Sequence, residues 1–272
     1  AQEEGSPDTI YPGALYPRFR HLGTEEGLSN NTAWDIMQDS RGYIWIATFD
    51  GLNRYDGYDM IMYQHDPDDP RSIGSSFIDR VIEDNSGMIW VGSASGFDKF
   101  DPSTEQFTRY TFDLDVPDNT VSAIIEDSQG RLWIGSSHGV LYQFERSTEE
   151  LIPVSASDEF GRILEMVEGT DGALWIGHTL GLTKLDTETD TFTLYQPFPE
   201  ESPLVNRVKD FVQGTDGYLW LAMDGGGLVR FDPQTEEMIV YRHDPDNPQS
   251  LSSDSAFSIL EDSPGIFWVG TF

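Results

Sequence analysis

The sequence predicts an all-β protein: a β-propeller of four-stranded antiparallel blades, seven-bladed when intact. Three observations carry that expectation. Six tryptophans, Trp45, Trp90, Trp133, Trp175, Trp220 and Trp268, recur at spacings of 45, 43, 42, 45 and 48 residues, a period typical of propellers, arrays and solenoids. Each tryptophan falls near the end of a phrase of one form, from SRGYIWIA to SPGIFWVG. No stretch within the period shows a capped 3.6-residue apolar pattern, whereas four short strand-like runs fit each period. A solenoid of sheets would need shorter and more regular coils.

The elements follow in order. In the second unit the four runs are FIDRVIED, MIWVGSA, GFDKFD and QFTRYTF. The first run of every unit ends in an apolar pair and polar turn residues, as in VIED and IIED, which suits the end of a buried strand. The turns SRG, NSG, SQG, TDG, TDG and SPG then lead into the second run. Glycine there admits a positive φ, and the Asp, Asn or Ser before it can bond the backbone. The tryptophan of the second run is expected to wedge between neighbouring blades, with the Gly or Ala two places later leaving room for the ring. Segments such as DPSTEQF (101–107) and DPQTEEM (232–238) are hairpin signals between the third and fourth runs. The Glu–Asp pairs at 83–84, 126–127 and 261–262 repeat before the tight turn and are expected to shape it. Units run over 32–75, 77–119, 120–158, 162–203 and 206–252, and a sixth opens at 255. Residues 1–16 read as a polar linker, and PRFRHL (17–22) as an outermost strand lent to the last blade. On this reading 17–272 is a propeller of a closing strand, five full blades and half a sixth, part of a longer chain.

Composition narrows the partners. Among 272 residues, 48 are acidic and 16 basic, three of these lysine, for a net charge of −32. Such a surface repels nucleic acid and anionic lipid. Without cysteine there is neither a disulfide nor a thiolate metal site. No run of 18 apolar residues is present. No cofactor is expected.

At this point the residues resemble a known family. VSAIIEDSQGRLWIGSSHGVLYQF (121–144), SAFSILEDSPGIFWVGTF (255–272) and the opening LGTEEGLSNNTAWDIMQDSRGYIWIATFDGLNRYDG (22–57) are similar to the two-component regulator propeller repeat. The resemblance covers 17–272. It implies a periplasmic sensor region of a membrane-bound regulator, built of one or two seven-bladed propellers. An immunoglobulin-like domain, a membrane span and a cytoplasmic output would follow, the output often a hybrid histidine kinase and sometimes a diguanylate cyclase. Relatives in gut bacteria sense oligosaccharides. The implied partners are thus an oligosaccharide or other small polar ligand, the rest of the same polypeptide and, in a receptor, a second copy.

Catalytic motifs are missing from the sequence: no GxSxG, HExxH, Walker sequence or GxGxxG after a strand. The region is therefore expected to have no enzymatic activity, with kinase or cyclase chemistry residing elsewhere. The alternatives are a propeller lyase or glycosidase acting on polysaccharide, and a dimerisation scaffold. YQHDPDDPRSI (63–73) and YRHDPDNPQSL (241–251) link one blade to the next and read as rigid turns, with calcium binding by their aspartates left open. The informative residues are those that break the repeat. Aligned inner strands put Trp34, Asp79, Ser122, Leu164, Lys209 and Phe257 at one position, and Asp35, Arg80, Ala123, Glu165, Asp210 and Ser258 after it. Arg162 and Arg207 stand two places before the first set, and the loops after the second strands supply Asp50, His138 and Asp224. From these the expected ligand-binding set at one channel mouth is Trp34, Asp50, Arg80, His138, Arg162, Arg207, Lys209 and Asp224. The indole would stack on a sugar face and the polar groups bind hydroxyls or a carboxylate.

Overall fold

A computed structural model describes residues 21–112, 119–154 and 160–272. The expected linker at 1–16 and most of the lent strand at 17–22 lie outside them. Alternating short strands build six antiparallel sheets in chain order. The first comprises β1 (Ala33–Gln38), β2 (Ile44–Thr48), β3 (Gly51–Tyr55) and β4 (Met60–Tyr63). The second holds β5 (Ile78–Glu83), β6 (Ile89–Ser93), β7 (Gly96–Asp101) and β8 (Gln106–Tyr110). The third holds β9 (Val121–Glu126), β10 (Leu132–Ser136), β11 (Leu141–Glu145) and β12 (Glu150–Pro153). The fourth holds β13 (Ile163–Glu168), β14 (Leu174–His178), β15 (Gly181–Asp186) and β16 (Thr191–Tyr195). The fifth holds β17 (Val208–Gln213), β18 (Leu219–Met223), β19 (Gly227–Phe231) and β20 (Met238–Tyr241). The sixth is a pair, β21 (Ala256–Ser263) and β22 (Ile266–Thr271). Each four-stranded sheet is a meander in sequence order.

The first strands of successive sheets lie against one another: β1 by β5, β5 by β9, β9 by β13, β13 by β17 and β17 by β21. Contacts also cross between sheets that are not neighbours. Arg80 of the second sheet donates to the Leu164 carbonyl of the fourth at 2.9 Å, and Arg162 reaches back to Asp79 at 3.3 Å. The sheets therefore stand around a common axis as blades, not in a line.

The tryptophans fill the space between blades. Trp45 meets Phe100 of the second blade edge-on at 5.3 Å, Trp90 meets Phe144 at 5.1 Å, and Trp175 meets Phe231 at 5.5 Å. Trp45, Trp90, Trp133 and Trp175 are buried. The expectation that all six are core fails for Trp268, which is 67% exposed because no further sheet covers it among the described residues. Trp220 is only part-buried, against Phe267 of the two-stranded sheet.

The small residue after each tryptophan serves a purpose other than the expected one. A Cβ on Gly92 would sit 2.8 Å from Val121, on Gly135 2.5 Å from Ile163, and on Gly177 2.9 Å from Val208. The missing side chain thus lets the first strand of the next blade approach, and does not accommodate the indole.

The turn chemistry links blades as well as strands. Asp84 accepts the Ser86 and Met88 amides and the Trp90 indole N–H. Glu83 beside it reaches back to the first blade and accepts the Ser40 amide and hydroxyl at 2.6 and 2.7 Å. Glu126 does the same to Asn85, Glu168 to Ser128, Gln213 to Thr170 and Glu261 to Thr215. One residue of the pair shapes its own turn and the other latches the previous blade. In both linking phrases, a histidine Nδ1 bonds a carbonyl eight residues on, Ile73 or Leu251, and the aspartates cap turns. Among the described residues no cluster of His and acidic groups is placed to hold a metal ion.

Candidate functional site

The inner strands converge on an axial cavity of about 470 Å³, lined by Trp34, Asp79, Arg80, Ser122, Arg162, Leu164, Thr179, Arg207, Lys209 and Phe257. Its volume suits a small ligand. All six members of the aligned position, Trp34 through Phe257, lie on its wall, one from each blade. Clefts of comparable size between blades are lined by Ser128, Arg131, Glu168 and Lys184, or by Trp90, Lys99, Arg146 and Glu149. Those residues belong to the latches and ion pairs that hold neighbouring blades together. The axial cavity differs because its lining breaks the repeat.

Five of the eight expected residues line this cavity: Trp34, Arg80, Arg162, Arg207 and Lys209. Asp224 stands behind it, accepting from Arg207 at 3.2 Å and from the Ser255 hydroxyl. Asp50 and His138 are not brought to it. Asp50 sits in the turn after β2, its amide on the Thr48 hydroxyl and its carbonyl on the Gln64 amide. His138 turns against Phe112 and Tyr142 at ring distances of 5.6 and 6.4 Å. Loop position alone did not reveal which way those side chains leave the blade.

One wall is aromatic. Trp34 is 48% exposed and rests edge-on against Phe49 at 5.2 Å. Phe257 carries the Lys209 ammonium over its ring at 5.2 Å, a cation–π contact. The rest of the charged lining is cationic except for Asp79 among the described residues. Arg80 pairs with Glu165 at a long 3.7 Å, and Arg162 and Arg207 each share one carboxylate. Lys209 has no ion pair among the described residues. Burial lowers its pKa, with Arg207 and Arg162 adding to the effect and Asp224 opposing it. The Arg207 Nε is buried with no acceptor among the described residues.

Deeper along the axis a second cavity continues past Arg80 to Asp35, Glu165 and Asp210. These carboxyls occupy the register position after the mouth set. Asp35 accepts the Val81 amide at 2.9 Å, and Asp210 the Ile259 amide at 2.8 Å. Burial raises both pKa values against those bonds. Glu165 is pushed up to about 7 by burial, which outweighs the attraction of Arg80. Its accessible third faces the channel, so crowding by the inner strands dominates. Sequence reading aligned Glu165 correctly but had no basis for selecting it, since carboxylates abound and its environment comes from four different blades.

The two component regulator propeller model matches residues 27–50, 115–138 and 250–272. A segment of 55 residues is 40% identical to histidine kinase P4 of Formosa agariphila, covering 20% of this chain and 4% of that protein. Among solved structures, the extracellular domain of BT3049 from B. thetaiotaomicron, described as a hybrid two component system, superposes with a TM-score of 0.71 at 24% identity. That match covers 93% of this chain and 40% of the other. Virginiamycin B lyase from Staphylococcus aureus superposes with a TM-score of 0.68 at 16% identity, covering 88% of this chain and 78% of the lyase. At these identities the solved structures establish a shared fold. The chain spans well under half of the signalling proteins it matches. The lyase likeness also corrects the expectation of no enzymatic activity. A catalytic chain is built on these same blades, so missing hydrolase, zinc and nucleotide motifs do not exclude catalysis.

Proposed function

We propose that the chain is the ligand-sensing propeller of an extracytoplasmic signalling protein, taking an oligosaccharide or similar polar ligand in the axial cavity. One observation carries the reading. Every blade contributes the same register position to one cavity, yet the residues there differ in each blade, from Trp34 to Lys209 to Phe257. Structural positions repeat, whereas recognition needs different groups at equivalent places. The propeller works outside the cytoplasmic membrane, as the extracellular domains resembling it do. No described helix is long and apolar enough to cross a membrane. We further propose that the rest of the polypeptide supplies the output and that the ring closes with seven blades. The exposed apolar surface of Leu260, Ile266 and Trp268 on the sixth sheet, and of Ile36 on the first, supports closure by a further sheet.

A second reading, a lyase acting on a saccharide, is favoured by Glu165. A carboxyl near neutral pKa beside Arg80 in a channel suits proton abstraction. Calorimetry with oligosaccharide fractions, followed by product analysis of the same samples, tests both. Sensing predicts saturable binding with the saccharide recovered intact and affinity lost in Arg162→Ala. Cleavage that disappears in Glu165→Gln would establish the lyase instead. Binding unchanged in Arg162→Ala would remove the cavity assignment.

A further inference from the structure

We infer that the ligand of the axial cavity is a short acidic saccharide, held through a carboxylate or sulfate group by Arg162, Arg207 and Lys209. The inference rests on the axial cavity being the binding site.

Charge economy is the first argument. The chain has 16 basic residues against 48 acidic ones, and four of the 16, Arg80, Arg162, Arg207 and Lys209, line one cavity. Among the described residues the only acidic one on the same lining is Asp79. The second argument is register. At the position of Arg162 and Arg207, the other blades carry Thr32, Phe77, Thr120 and Ser255. The two arginines therefore do not belong to the repeat, and neither is tied to two carboxylates among the described residues as Arg146 is, whose guanidinium bonds Asp84 of the second blade and Glu126 of its own. The third argument is incomplete pairing. Among the described residues Arg162 and Arg207 each have one carboxylate partner, at 3.3 and 3.2 Å. Guanidinium has five donors in a planar fork that matches an oxyanion in two places. Among the described residues the buried Arg207 Nε has no acceptor, and the Lys209 ammonium has an aromatic face and no ion pair. An incoming oxyanion would supply what all three lack.

The arrangement also limits ligand size. The exterior of a chain with net charge −32 repels a long polyanion. A short saccharide with one or two charges meets less repulsion and fits the cavity volume. Its ring would lie against Trp34 and Phe257, and its anionic group on the arginine side.

Calorimetric titrations with inorganic sulfate, trigalacturonate, a sulfated galactose trisaccharide and neutral galactotriose test the inference. We expect sulfate to bind weakly, and at least one anionic trisaccharide to bind about tenfold or more tighter than galactotriose. Which one binds separates a carboxylate from a sulfate ligand. Arg207→Ala and Arg162→Ala should abolish that preference, and Arg162→Lys should retain part of it. Galactotriose binding as tightly as either anionic sugar, with loss in Arg162→Ala, would overturn the anionic class and leave the cavity reading standing. Anionic sugars binding equally well to both alanine variants would overturn the inference and the cavity reading together. Failure of sulfate and both acidic sugars to bind would overturn the inference alone. Retention of the wild-type melting profile shows that a variant is folded.

Discussion

Trp133 and Trp268 hold equivalent places in their repeats and meet opposite surroundings. Trp133 is buried between the third and fourth blades, its indole N–H on Asp127 at 2.9 Å. Trp268 stands in solvent. Trp133→Ala is expected to cost about 3–5 kcal/mol, as for a core aromatic. Trp268→Ala in this chain should cost within about 0.5 kcal/mol, as at a surface site. Thermal or urea melts of the two variants check the contrast, and equal losses would contradict it. The sequence makes the tryptophan position plain through its flanks and spacing. It does not carry burial, because the covering surface comes from the next blade. The same limit applies to Asp50 and His138, whose place in loops near the axis was legible but whose side-chain directions were not.

Between elements, the close approach of one blade's first strand to the second strand of the blade before it sets the packing. Gly135 lies under Ile163, with backbone that any residue could adopt, so only space demands glycine there. In an exposed strand, Gly→Ala would be expected to help. Here Gly135→Ala should destabilise by about 1–3 kcal/mol through overpacking. Measured midpoints equal to or above wild type would show that the blades can slide apart at no cost. The blade meander was readable from alternating apolar runs and glycine turns. The Glu and Gln latches were not, because each joins residues some 40 positions apart in chain and the Glu–Asp pairs already suited turn formation.

At the scale of the whole molecule, six inner strands make one channel, and its electrostatics belong to no single blade. Glu165 has a folded pKa of about 7, above its ordinary value of 4.5. The folded state therefore holds more protons in that window, and stability falls as pH rises through it. Asp98, raised to about 6 by burial, acts in the same direction at lower pH. His178, buried and lowered to about 4, acts oppositely and is spent once pH passes its ordinary value of 6.5. The loss from about pH 6.5 to about pH 8 is accordingly that of Glu165, and Glu165→Gln should flatten it. Parallel pH–melting curves for both proteins would contradict that assignment. Backbone NMR shift mapping with the tightest-binding saccharide tests the central claim most directly. The account predicts shifts gathered at Trp34, Arg80, Ser122, Leu164, Lys209 and Phe257, one residue from each blade. Shifts confined to the clefts around Arg131, Glu168 and Lys184 would contradict it.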